Sequence, residues 1–161
     1  MTSSPHFSSR FVARALEELV ERRRRGASIA LTYGSFELLH PGHLELLRRA
    51  RELADCLVVA VRADAVIEQL EGPGRPFVPF AERRRLVGAI RWVDFAIATN
   101  SEHPVELIQS LQPEVVVEPS RRNGLDETQI DSWRGRLVTV ELATAYSTRG
   151  LLALIQRLVP E

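Results

Sequence analysis

Apolar positions along this chain follow two rhythms, short unbroken runs and longer stretches where they recur every three or four residues. Phe11, Val12, Ala15, Leu16, Leu19 and Val20 keep helical spacing and predict an amphipathic leading helix over 9–25, closed by arginines and Gly26. The run from Ile29 to Tyr33 predicts a buried strand over 28–33. Leu44, Leu46, Leu47, Ala50 and Leu53 return to helical spacing behind Pro41, which suits a first helical turn. Cys56 to Val61 is continuously apolar, as a central parallel strand would be. The alternation then continues with helices over 63–70 and 80–90, a strand over 93–98, a helix over 105–111 and a strand over 114–117. A loop over 118–124, a helix over 125–133, a strand over 137–142 and a helix over 148–158 complete the expected order. Strands separated by helices imply right-handed crossovers and a five-stranded parallel sheet covered on both faces, an α/β fold. Residues 1–161 read as a single domain, with 1–8 expected to be a poorly ordered lead-in.

Composition narrows the function classes. The 21 basic residues balance 21 acidic ones, so no overall field favours nucleic acid or a membrane surface. Every basic residue is an arginine, so a cation in any site here must be Arg or His. Arg22 to Arg25 read as the cap of a solvated helix. Cys56 is the only cysteine and reads as a small buried hydrophobe; with no disulfide framework and no apolar leader, the expected setting is the cytoplasm.

The chemistry concentrates in Tyr33-Gly34-Ser35-Phe36-Glu37-Leu38-Leu39-His40-Pro41-Gly42-His43, where two of the four histidines flank the start of a helix. Gly42 lets a ligand approach the backbone, and the helix end supplies N–H groups and a positive dipole. Two imidazoles at such a terminus suit phosphate. With no further ligand cluster in the sequence, they do not suit zinc. Ser147-Thr148 opens the last helix and would lie on the same edge of the sheet, a second terminus suited to an anion.

The stretch from Gly34 to His43 resembles the signature of the cytidylyltransferase-like nucleotidyltransferases, Gly-x-Phe-Asp-x-x-His-x-Gly-His. The likeness is closest to the adenylyltransferase domain of ADP-heptose synthase, through Gly72-Pro73-Gly74-Arg75-Pro76 and Ser147-Thr148. Thr32 to Gly34 and Glu45 to Ala50 are also similar to glycerol-3-phosphate cytidylyltransferase. The resemblance implies a Rossmann-like three-layer fold. It also implies an enzyme that transfers a nucleotidyl group from ATP or CTP to a sugar or polyol phosphate. His40 and His43 would be catalytic. Tyr33, Gly34, Ser35, Phe36, Gly42, Ser147 and Thr148 would bind nucleotide, and Mg²⁺ would arrive on the nucleotide phosphates. Arg75, Arg121, Arg122 and Arg149 are the candidates for a substrate phosphate, Arg75 as part of a closing lid. The expected partners are a nucleoside triphosphate, a phosphorylated small molecule and a second copy of the chain in a homodimer.

Four positions depart from the pattern. Glu37 replaces the aspartate, Glu71 stands where the heptose-type enzymes carry lysine, 118–124 replace a Gly-Gly-Asp segment, and Arg149 replaces a threonine. Carboxylates beside a triphosphate repel it. The alternative expectation is therefore a catalytically degenerate nucleotide-binding or scaffold protein that keeps the fold.

Overall fold

In the computed structural model, which describes residues 9–119, 125–126, 133–142 and 146–158, the periodic segments form helices α1 (Ser9–Arg24), α2 (Pro41–Glu52), α3 (Asp64–Glu71), α4 (Phe80–Gly88), α5 (Val105–Leu111) and α6 (Thr148–Leu158). The strands are β1 (Ile29–Gly34), β2 (Cys56–Arg62), β3 (Phe95–Thr99), β4 (Val115–Glu118) and β5 (Arg136–Thr139). All pair in parallel, in the order β3-β2-β1-β4-β5. The five-stranded parallel sheet expected from the alternation is the one observed. Residues 1–8 and 127–132 lie outside the described residues; Leu125, Asp126 and Trp133, at the ends of the expected 125–133 helix, have no regular structure.

Side chains alternate across each strand, so the sheet has two apolar faces. Ile29, Leu31, Val58, Ala60 and Val116 meet Leu19 of α1 and Ile108 and Leu111 of α5 on one face. Ala30, Leu57, Val59, Val61, Val115 and Val117 meet Leu46, Leu47 and Ala50 of α2 and Val87 of α4 on the other. The central strands are buried from end to end, which explains why their sequences run apolar without alternation. By contrast α6 buries none of its residues fully, and Leu154, Ile155 and Leu158 are half or more exposed. No helix among the described residues is long and apolar enough to cross a membrane.

Strand starts shift by a residue or two from expectation for a shared reason. The carboxylates of Asp55, Asp94 and Glu114 accept hydrogen bonds from the backbone N–H groups of Ser28, Leu57 and Ile29, closing the amino-terminal edge of the sheet. Asp94 therefore precedes β3 rather than joining it, and Glu114 precedes β4. Two of the four arginines at the end of α1 are not a solvated cap: Arg22 bonds Asp94 at 2.6 Å, and Arg23 bonds Glu114 at 2.9 Å and the carbonyls of Leu111 and Gln112. They dock α1 onto the sheet, while Arg24 and Arg25 stay exposed. Cys56 is buried, and burial pushes its thiol up to about 11, as befits an inert core position.

Strand order decides where a ligand can sit. The chain runs from β1 outward to β3 and then crosses back to place β4 on the other side of β1. At that switch, beyond the carboxyl ends of β1 and β4, such sheets present a ligand crevice.

Candidate functional site

Three residues turn the chain out of β1. A Cβ on Gly34 would sit 3.2 Å from the Phe36 ring, so a side chain there would push on the ring that backs His43. Phe36 itself has φ 49°, the left-handed region that costs an L-residue about 1–2 kcal/mol. Its ring is 2 % exposed, and burial holds the strained backbone in place. The turn delivers His40 as the N-cap of α2, in extended conformation and with no side-chain cap of its own, followed by Pro41 in the first turn. No acidic residue occupies that first turn, which leaves the dipole end unneutralised.

His40 and His43 stack with ring centroids 3.8 Å apart, and Phe36 backs His43 at 5.0 Å. The Nδ1 atoms of both histidines are buried without a hydrogen-bond partner. Burial, and then the neighbouring His40, pull His43 down to about 3; the Leu38 backbone opposes this weakly without making a well-formed bond to Nδ1. Burial also lowers His40. At neutral pH this is a pair of uncharged imidazoles, short of partners, at a positive helix end.

Glu37 and Arg75 answer the first departure. Arg75 Nε donates to Glu37 Oε1 at 2.7 Å and its Nη2 donates to Oε2, while the Phe77 N–H donates to Oε1 at 2.5 Å. Arg75, a candidate for substrate phosphate, is therefore held by a carboxylate that is 4 % exposed. Burial pushes the Glu37 carboxyl up, but Arg75 and the Phe77 N–H outweigh it and hold the group below its ordinary 4.5. A carboxyl more acidic when folded contributes stability that is fully present above that ordinary value and fades as pH falls through the lower folded one. Glu37→Gln should flatten the acid limb of a melting-temperature profile taken from pH 7 to pH 3. A limb as steep as in the parent protein would assign acid sensitivity to other carboxylates.

Arg83 is fully buried and donates to the carbonyls of Val78 (2.8 Å), Ser35 (2.5 Å) and Arg62 (2.8 Å) and to Asp64 Oδ1 (2.7 Å). It ties α4 to the ends of β1 and β2, and it is spent on structure.

The remaining sequence candidates separate. Tyr33, Gly34, Ser35, Phe36, Gly42, His40 and His43 gather where β1 gives way to α2. Ser147 and Thr148 open α6, after β5, the strand two places from β1 in the sheet. Ser147 Oγ accepts the Gly150 N–H at 3.0 Å, capping α6. Arg149 is exposed on α6, and Arg121 and Arg122 lie outside the described residues. Glu71 is exposed at the end of α3.

A second polar group forms behind Tyr33, on the α5 face of the sheet. Burial first, and then Glu118, push the Tyr33 hydroxyl well above its ordinary value, so it stays protonated and donates to Glu118 Oε1. The Leu125 N–H donates to the same oxygen at 2.8 Å, and Glu118 Oε2 is buried without a partner. His103 Nδ1 lies 3.1 Å from the Tyr33 hydroxyl, and the Arg62 guanidinium lies 5.7 Å from the Tyr33 ring centre. Arg62 and His103 escaped the motif reading, and Glu118 entered it only as the start of the departing 118–124 segment. The available signal was position: Arg62 and Glu118 end the apolar runs of β2 and β4, where parallel sheets present ligand groups.

Residues 31–142 match the cytidylyltransferase-like family. The bifunctional protein HldE of Syntrophotalea carbinolica is 34% identical over 144 residues, 86% of this chain and 29% of that protein. HldE of Koribacter versatilis is 38% identical over 157 residues, 93% of this chain and 32% of that protein. The chain thus spans roughly a third of the length of these curated relatives. Among solved structures, the lipopolysaccharide core biosynthesis protein of Thermoplasma volcanium superposes with a TM-score of 0.64 at 21% identity, covering 73% of this chain and 99% of that one. That likeness is one of fold.

Proposed function

The chain belongs to the cytidylyltransferase-like family, and from that premise we propose that it is a nucleotidyltransferase that moves a nucleotidyl group from ATP or CTP onto a sugar or polyol phosphate. The observation that carries this reading is the stacked, uncharged and partner-poor histidine pair at the start of α2. A phosphate oxygen of the acceptor attacks the α-phosphorus of the triphosphate; the bond to the β-phosphate oxygen breaks, and pyrophosphate leaves with the negative charge. Little covalent help is needed, and alignment with charge stabilisation is. His40 and His43 donate hydrogen bonds to the phosphate oxygens on which charge builds. Residues 34–36 form the wall under the nucleotide, and Ser147 and Thr148 hold phosphate on the far side of β4.

Imidazole nitrogens fit phosphate oxygens better than they fit a hard cation, which prefers oxygen ligands. Among the described residues no cluster of three or more His, Cys, Asp or Glu could hold a metal. Mg²⁺ fits this site as a companion of the triphosphate, where it would offset phosphate charge.

Binding should also move protons. A triphosphate placed against neutral imidazoles favours their charged forms and raises their pKa values toward neutrality. Nucleotide binding near pH 6.5 should therefore take up protons, and affinity should rise as pH falls. Calorimetry in buffers of differing ionisation enthalpy reads the uptake directly; proton release, or none, would contradict the proposed contact.

The reading is tested by nucleotide-induced stabilisation with ATP and CTP in the presence of Mg²⁺, followed by pyrophosphate release with phosphorylated acceptors. The pairing of Arg75 with Glu37 and the exposure of Arg149 favour one rival, a catalytically degenerate nucleotide-binding protein. Stabilisation by nucleotide without pyrophosphate release across sugar and polyol phosphates would select that rival.

A further inference from the structure

Arg62 is a cation in want of a counter-charge. It ends β2, next to the point where the neighbouring β1 gives way to its turn, and no carboxylate among the described residues lies within ion-pair distance of it. Its Nε and Nη2 share the single Glu102 carbonyl at 3.1 and 2.8 Å, and its Nη1 reaches Ser35 Oγ only at 3.5 Å. The neighbouring arginines are satisfied differently, Arg75 by Glu37 and Arg83 by Asp64. Burial lowers the Arg62 pKa, while Tyr33 and the more distant Glu102, Glu71 and Glu118 only partly offset that. Charges withdrawn from water are ordinarily paired, and an unpaired one at a phosphate-handling edge calls for an anion.

A cavity of about 560 Å³ opens between the end of β3 and the start of α5, lined by Thr99, which pairs with Arg62 across the sheet, by His103, which follows the Glu102 that Arg62 holds, and by Glu106. Thr99, Asn100, Ser101 and His103 supply polar groups to its wall, and Val105 and Leu107 supply apolar ones. The Tyr33 hydroxyl spends its only proton on Glu118, so its contact with His103 is accepted from the Nδ1–H. That leaves Nε2 as the hydrogen-bonding edge of the His103 ring, with the Glu102 carboxylate 3.9 Å away. The volume suits a small molecule, and the wall suits one rich in hydroxyls.

We propose that Arg62 anchors the phosphate of the acceptor and that the cavity between β3 and α5 holds its hydroxyl-bearing part. The acceptor is then a small phosphate monoester with free hydroxyls, approaching the histidine pair from the β2–β3 side. This rests on the nucleotidyltransferase reading and deepens it: the nucleotide spans β1 to α6, and the acceptor enters from the opposite side. Such a division suits displacement in line, with attacking and leaving oxygens on opposite sides of the α-phosphorus. Arg62 does here what the sequence candidates Arg75 and Arg149 are not placed to do.

The experiment uses inorganic phosphate and glycerol 3-phosphate as probes in calorimetric titrations. Arg62→Gln should weaken phosphate binding at least about tenfold, on the order of one charge-assisted contact, while binding of the Mg²⁺ nucleotide changes little. Arg62→Lys should restore much of the phosphate binding, since it returns the charge. Glycerol 3-phosphate should bind more tightly than phosphate, and His103→Ala should erase only that advantage. Unchanged phosphate binding in Arg62→Gln, or phosphate binding lost only in His43→Ala, would overturn the proposal. So would the absence of any advantage for the hydroxylated probe. Arg62-dependent phosphate binding in a protein that binds no Mg²⁺ nucleotide would sink the nucleotidyltransferase reading and leave the anion site standing.

Discussion

Replacing His43 by alanine should cut nucleotide-dependent pyrophosphate release by about 10²–10³-fold, the usual loss when one preorganised donor to a developing oxyanion is removed. His43 is the residue to choose because it is more deeply held than His40. It stacks on His40 at 3.8 Å and rests on Phe36 at 5.0 Å, and burial keeps it neutral. The contact that raises its pKa on nucleotide binding also gains strength as charge builds, so the loss should fall on kcat beyond any loss of nucleotide affinity. His40→Ala should behave similarly. The double variant should lose much less than the product of the two, because the rings act as one stacked unit. A His43→Ala protein retaining turnover within about threefold of the parent would remove the pair from the mechanism.

Arg83→Ala should be the most damaging single change to stability, costing about 3–5 kcal/mol in urea denaturation. The side chain is fully buried and donates to three carbonyls on three segments. Removing it leaves those carbonyls unpaired in the interior and opens a cavity the size of a guanidinium. Arg83→Lys should rescue only part of the loss, since one ammonium cannot reach a fan of acceptors that a planar fork spans. The partner Asp64 is about half exposed, so Asp64→Asn should cost far less, within about 1 kcal/mol. A loss in Arg83→Ala no larger than that would mean that water replaces the guanidinium. Because Arg83 holds the Ser35 carbonyl, a variant that still folds should also lose site geometry.

Much of this could be read along the chain. The unbroken runs at Ile29–Gly34 and Cys56–Arg62 are strands because burial on both faces leaves no reason for alternation. Helices α5 and α6 fall where three- and four-residue spacing put them, and the histidine turn lies at a strand's carboxyl end. Boundaries moved where side chains far away in sequence took over backbone groups, as Asp94 does for Leu57 and Glu114 for Ile29. The fate of the charged residues was not legible. Glu37 meets Arg75 from 38 residues away, Tyr33 meets His103 from 70 and Glu118 from 85. Local spacing carries no information about such meetings.

By itself, the sequence determined the alternation of strands and helices, the histidine pair at a helix start and the shortage of cations other than arginine. These are properties of neighbours along the chain, set by periodicity, capping and composition. Tertiary structure decided how individual arginines are spent. Arg22, Arg23, Arg75 and Arg83 are consumed by carboxylates and carbonyls, while Arg62 at the end of β2 holds the Glu102 carbonyl and no carboxylate among the described residues. Strand order is the physical reason. Only once β4 returns to lie beside β1 do Tyr33, Glu118 and Arg62 share one face of the sheet, and a charge is neutralised by what folding brings beside it.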